Sequence, residues 1–303
     1  MKRILVCGSN GLLGQKLAWL FNNNPEYEVL HTSYHRTFVH EYMLIDYTQL
    51  DITNRSDVKS LVTSFRPDVI LNAAAMTNVD ACEREKEKAW KVNVTAVENL
   101  VEICRRIDAK LVHVSTDYVF DGKTGSYKED DRVNPVNYYG KTKLAGENVI
   151  ISSGIDYAIL RTVVVYGVGV NVKNNFALWV IHNLNERKPI RCVDDQISNP
   201  TNVFDLANAM KSVVDQNVSG LFHVCGAETI SRYDFALRVA DIFGFDSSLI
   251  QRIKTAELQQ LAQRPLNTSF LYDKAKQAFH YNPLNVTQGL QLLQREMTGI
   301  HLN

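Results

Sequence analysis

Through the first half of the chain, short β-branched runs alternate with longer stretches whose apolar residues recur at helical spacing. Ile4 to Cys7, Glu28 to Thr32, Val69 to Asn72, Leu111 to Ser115 and Ala158 to Val165 read as parallel strands buried on both faces. Between them, Leu12 to Asn22, Ser56 to Phe65, Glu83 to Ile107 and Lys141 to Ile151 carry the helical period. This β-α-β-α order predicts an α/β fold with a doubly wound parallel sheet of the Rossmann kind. From about Gly167 the alternation loosens, and helices are expected near Asn175 to Asn185, Val203 to Val214, Ser231 to Phe243 and Thr255 to Ala262. The organisation expected is a dinucleotide-binding domain over 1–166, rejoined by segments near 200–225 such as Gly220 to Val224, and a smaller, discontinuous substrate lobe over 167–303. No internal repeat or low-complexity tract interrupts the pattern.

Composition narrows the function classes. The 33 basic and 33 acidic residues cancel, so no global field draws the chain to nucleic acid or an anionic membrane. The apolar run before Gly8 is too short for a signal h-region, and Tyr157 to Val170 is broken by Arg161 and glycines, too short to span a bilayer. Five scattered cysteines without CxxC spacing point to neither a disulfide framework nor a zinc site, and a reducing, cytoplasmic location fits them. No histidine has metal-ligand spacing, so no metal is assigned. The sequence leaves the oligomeric state open, a homodimer included.

Two patterns carry chemistry. Gly8-Ser9-Asn10-Gly11-Leu12-Leu13-Gly14 follows the first strand directly and opens a helix. Glycines there permit a tight turn and close approach of backbone to a pyrophosphate, which then meets the positive end of the helix. After the second strand, Ser33-Tyr34-His35-Arg36 offers no carboxylate to grip a ribose 2′-hydroxyl. Arg36 can instead meet a 2′-phosphate, which favours NADP(H) over NAD(H), or it is a solvated surface side chain.

Tyr139-Gly140-Lys141-Thr142-Lys143 sets a phenol and an ammonium four residues apart, on one helical face. A nearby lysine charge is expected to lower the tyrosine pKa towards working pH, making Tyr139 a proton donor to a carbonyl. Upstream, a strand runs into Ser115-Thr116-Asp117-Tyr118-Val119-Phe120, placing the Thr116 hydroxyl at a strand's C-terminal end, where open α/β sheets bind ligands. The alternative is a simple Ser/Thr turn capped by Asp117.

Taken together, these stretches resemble the dTDP-4-dehydrorhamnose reductase family of extended short-chain dehydrogenases. Leu50-Asp51-Ile52-Thr53, Pro67 to Ala75, Tyr139 to Glu147, Asp195-Gln196, Pro200-Thr201 and Arg264-Pro265 extend the similarity over nearly the whole chain. The resemblance implies that Gly8, Asn10, Gly11, Leu12 and Leu13 cradle the pyrophosphate, Asp51 and Ile52 the adenine end, and Ala73, Ala74 and Ala75 the ribose region. It implies that Tyr139 and Lys143 bind nicotinamide ribose and catalyse with Thr116, while Thr116, Asp117 and Arg264 meet a nucleotide-sugar substrate. Asn93, grouped with the cofactor set, resembles a family asparagine that steadies the active-site backbone. Arg264 suits a diphosphate, or else forms a surface salt bridge. The activity implied is reduction of a 4-keto nucleotide sugar. Val163-Val164 stand where the family usually has Ser-Trp, which leaves the sugar open. Other activities of the same lineage are an epimerase, or a non-catalytic NADP-binding subunit such as the methionine adenosyltransferase β subunit.

Overall fold

A computed structural model describes residues 1–22, 24–39 and 45–299. The strands are β1 (Lys2–Cys7), β2 (Tyr27–Ser33), β3 (Asp46–Gln49), β4 (Val69–Asn72), β5 (Lys110–Thr116), β6 (Tyr157–Thr162), β7 (Val165–Tyr166), β8 (Ile190–Val193), β9 (Ile197–Ser198), β10 (Thr201–Asn202), β11 (Gly220–His223), β12 (Ile230–Ser231) and β13 (Ile250–Ile253). Seven of these form one sheet in the order β11-β6-β5-β4-β1-β2-β3, with every pair parallel. The order reverses between β1 and β4, the switch point at which such sheets open a ligand crevice.

The helices are α1 (Leu12–Phe21), α2 (Arg55–Phe65), α3 (Val79–Arg84), α4 (Lys86–Trp90), α5 (Ala96–Ile107), α6 (Tyr138–Ile151), α7 (Phe176–Asn185), α8 (Val203–Asp215), α9 (Arg232–Phe243), α10 (Asp273–Phe279) and α11 (Val286–Met297). They cover both faces of the sheet. Ile4, Val6, Leu71 and Leu160 bury one face against Leu17 and Phe21 of α1, Met210 and Val213 of α8, and Phe279 of α10. Leu5, Ile70, Leu111 and Ile159 bury the other against Val58 and Val62 of α2, Leu100 and Cys104 of α5, and Ile150 of α6. The strand period of two divides the side chains between these faces. A separate apolar cluster joins α7, α9 and α11 to β8 through Val180, Phe235, Leu290 and Ile190. All five cysteines are buried free thiols. No helix of the described residues is long and apolar enough to cross a membrane.

Four expectations need correction. Glu83 to Ile107 is not one helix: α3 ends at Arg84, α4 follows, and a π-helical turn at Lys91–Thr95 precedes α5. Ala158 to Val165 is broken after Thr162, because Val164 takes φ 43°, a left-handed conformation rare for a β-branched residue, before β7 resumes. Thr255 to Ala262 is helical only as a short 3-10 turn at Thr255–Glu257. Its backbone donors go to side chains instead, Thr255 N–H to Asp195 and Ala262 N–H to Asp80. Helix α6 starts three residues before Lys141, at Tyr138, because Asn137 caps it by accepting from Gly140 N–H at 2.9 Å.

Candidate active site

The glycine loop is shaped by close approach. Gly8 has φ 91°, and a Cβ there would lie 2.8 Å from Ala74 N, so the ends of β1 and β4 can meet only with glycine at 8. A Cβ on Gly14 would lie 2.2 Å from Gly8 O, which fixes how tightly α1 folds onto the loop. Gly11 differs, since a Cβ there would meet only Gly8 O at 3.3 Å. Gly11 is exposed and is the N-cap of α1, with no side chain capping the helix, so the first-turn N–H groups of Leu12 and Leu13 face outward beside it. Ala73, Ala74 and Ala75 line the neighbouring end of β4, each partly exposed.

Asn10 turns its side chain to the chain after β2, donating to Thr37 O at 2.9 Å and accepting from Val39 N–H at 3.1 Å. It therefore shapes the loop that carries Arg36, whose side chain is exposed. Asp51 accepts from the Thr53 N–H and hydroxyl at 2.9 and 2.7 Å, a turn that follows β3 at the same edge of the sheet. Ile52 is buried and its carbonyl accepts from Asn99.

Across the crevice, two glycines bring α6 against backbone. A Cβ on Gly140 would lie 2.1 Å from Tyr118 O, and one on Gly146 would lie 2.7 Å from Asn93 O. Glycine inside a helix costs about 1 kcal/mol relative to alanine, and here it permits the approach that sets Tyr139 beside Thr116. The phenol lies beside the Thr116 hydroxyl. Thr116 in turn donates to Asp117 Oδ1 at 3.0 Å and accepts from Tyr118 N–H at 3.2 Å, so it both caps the turn after β5 and faces Tyr139. The π turn in the chain before α5 aims Asn93 at the same place. Its amide accepts from Met76 N–H at 2.9 Å and donates to Met76 O and to the Thr142 hydroxyl, at 3.1 and 3.0 Å. Asn93 is thus a buried strut between the β4 loop and α6.

The electrostatics also depart from expectation. Burial pushes the Tyr139 phenol above its ordinary range, the Thr116 hydrogen bond opposing and the Asp117 charge adding to the rise. Burial outweighs any effect of Lys143, whose Nζ is engaged by His113 Nε2 at 3.1 Å and Val114 O at 2.8 Å. The phenol is accordingly held protonated, the state from which it can donate. Lys143 is itself brought down to about 8 by burial, against the Glu147 carboxylate. Asp117 is brought up to about 6 by burial, opposed by hydrogen bonds from Thr268 and Thr116. Arg264 forms the salt bridge, its guanidinium held by both Asp80 carboxylate oxygens at 3.0 Å.

The chain matches the model of the RmlD substrate binding domain family over residues 1–298. It belongs to that family. It is 37% identical to the dTDP-4-dehydrorhamnose reductase of Aggregatibacter actinomycetemcomitans, over 96% of this chain and 98% of that one. It is 33% identical to the methionine adenosyltransferase 2 subunit beta of Xenopus laevis, over 88% of this chain and 79% of that one. The solved dTDP-4-dehydrorhamnose reductase of Bacillus anthracis in complex with NADP superposes with a TM-score of 0.88 at 31% identity, covering 98% of this chain and 100% of that one.

Within the RmlD substrate binding domain family frame, the sequence reading missed Thr268 and Arg232. Thr268 donates to Asp117 Oδ2 at 2.5 Å and has no local sequence signal, being distant in the chain from its partner. Arg232 opens α9, lies near Asp117, Tyr118 and Arg264, and packs its guanidinium 4.7 Å from the Phe176 ring centroid. A signal for it existed: a cation in the first turn opposes the helix dipole, so it needs some other reason to be there.

Proposed function

We propose that the protein is an NADPH-dependent oxidoreductase that reduces the C4 keto group of dTDP-4-dehydro-L-rhamnose to give dTDP-L-rhamnose. The carrying observation is the protonated Tyr139 phenol set beside Thr116 at the C-terminal end of β5, across the crevice from the glycine loop. The reductase relatives and the NADP-bound structure support the substrate and the cofactor.

The residues present fit a dinucleotide. The open face at Gly11 and the first turn of α1, held by the close approach of Gly8 to Ala74, suit a pyrophosphate. Arg36, with no carboxylate nearby on that turn, suits a 2′-phosphate. When bound, the nicotinamide supplies the hydride. Tyr139 gives its proton to the carbonyl oxygen, and Thr116 holds that oxygen beside the phenol. Lys143 anchors the ribose side of the crevice, and Asp117 with Arg232 orients the substrate.

The test is oxidation of NADPH, then of NADH, with enzymatically generated dTDP-4-dehydro-L-rhamnose, comparing wild type with Tyr139→Phe. Turnover that the substitution abolishes supports the reading. Tight NADP binding without turnover would sink it in favour of a non-catalytic binding subunit; the Xenopus relative is named as a subunit beta.

A further inference from the structure

Behind Lys143 lies a chain of buried polar groups whose hydrogen-bond directions are fixed from one end. Ala74 N–H can only donate, and it points at Asn72 Oδ1 at 3.2 Å. The other side-chain atom of Asn72 is therefore the amide nitrogen, which lies 3.0 Å from His113 Nδ1. A nitrogen facing an N–H donor must accept, so His113 Nδ1 carries no proton. A neutral imidazole then has its proton on Nε2, the atom 3.1 Å from Lys143 Nζ. Asn72 and His113 are each 1% exposed and Lys143 2%, so no solvent reverses these directions.

We propose that Asn72 and His113 are positioning residues that set the proton balance of Lys143, with His113 as the Nε2–H tautomer donating to the amine lone pair. The amine donates onward to Val114 O at 2.8 Å. Charging Lys143 turns His113 Nε2–H against an ammonium, or moves the proton to Nδ1 against the Asn72 amide. Either way one hydrogen bond is lost, so the wire favours release of the lysine proton. The charged group acting on Lys143 is Glu147 on its own helix, paired to Arg161 of β6; Tyr139 stands one turn earlier on α6 and Asp117 just beyond the end of β5. Glu147 favours the charged lysine, as does Asp117 when ionised, and Arg161 pairs with Glu147 at 2.7 Å.

The consequence for the reductase reading is that Lys143 titrates within the working pH range rather than remaining a fixed cation. The idea is tested without turnover, so its failure is separable from failure of that reading. Two-bond ¹⁵N–¹H correlation spectra of the wild-type protein report each histidine tautomer, with His113 assigned through His113→Gln. His113 should be the Nε2–H tautomer at neutral pH; an Nδ1–H tautomer or an imidazolium overturns the proposal. Asn72→Asp keeps the acceptor for Ala74 N–H and offers a second acceptor to His113. It should move the His113 proton to Nδ1 and raise the Lys143 titration by about one pH unit, read from labelled lysine. An unmoved lysine titration in a variant that has switched tautomer would refute the control of Lys143. The wild-type spectrum decides the tautomer even where Asn72→Asp does not fold.

Discussion

Removing Arg161 isolates the buried ion pair beneath the catalytic helix. The Glu147 side chain is 0% exposed and Arg161 4%. The carboxylate accepts from Arg161 Nε at 3.0 and 3.2 Å, from Arg161 Nη2 at 2.7 Å and from the Ser115 hydroxyl. Arg161→Met strips away every contact but Ser115 and leaves a carboxylate with no water to solvate it. Loss of one partner from such a pair costs about 3–5 kcal/mol. The pair itself is not worth that much, because its formation desolvated both ions and left Arg161 Nη1 without a hydrogen-bond partner, the guanidinium carbon lying 5.2 Å from the Phe120 ring centroid. The double variant Arg161→Met/Glu147→Leu should therefore recover most of the loss, to within about 1 kcal/mol of wild type. Lys88→Met is the control, since the Lys88–Glu85 pair is 65% and 45% exposed and should contribute under about 1 kcal/mol. Urea unfolding midpoints at unchanged slope give all three values. If Arg161→Met unfolds no earlier than Lys88→Met, or the double variant is as weak as the single, the reasoning fails.

Asp117 should make stability depend on pH. Its folded pKa of about 6 lies above the unfolded value, so its contribution is fully present below about 4 and is lost as pH rises through about 6. Asp117→Asn should flatten that fall and stabilise the protein at pH 8 by on the order of 2 kcal/mol, measured by urea unfolding at pH 5 and 8. At the glycine loop, Gly11→Ala should unfold near the wild-type midpoint yet bind NADP more weakly, whereas Gly8→Ala should lose both stability and binding, by thermal scan and titration calorimetry. Thr116→Val should lower kcat about 10- to 100-fold, less than the loss in Tyr139→Phe, with melting temperatures of both close to wild type; equal effects would deny Tyr139 the proton.

The amino-acid sequence determined the parallel sheet and the identity of its ligand edge. Runs such as Ile4 to Cys7 and Val69 to Asn72 can bury two faces only between helices, and glycines directly after a strand need a backbone that approaches something. The Tyr139 and Lys143 pair was legible for the same local reason, four residues apart on one helix. What those two groups do electrostatically was not. The sequence suggests that the lysine acts on the tyrosine, but burial dominates Tyr139, and Lys143 turns to His113 on a strand far away in the chain. That Asn93 steadies the active-site backbone was suggested by resemblance, but its partners, Met76 and Thr142, are set by the π turn. The partner of Arg264, Asp80, is likewise brought to it only by folding. Period and spacing are local quantities that a sequence displays; desolvation and hydrogen-bond direction depend on which distant groups close over a side chain, and only the tertiary structure decides that.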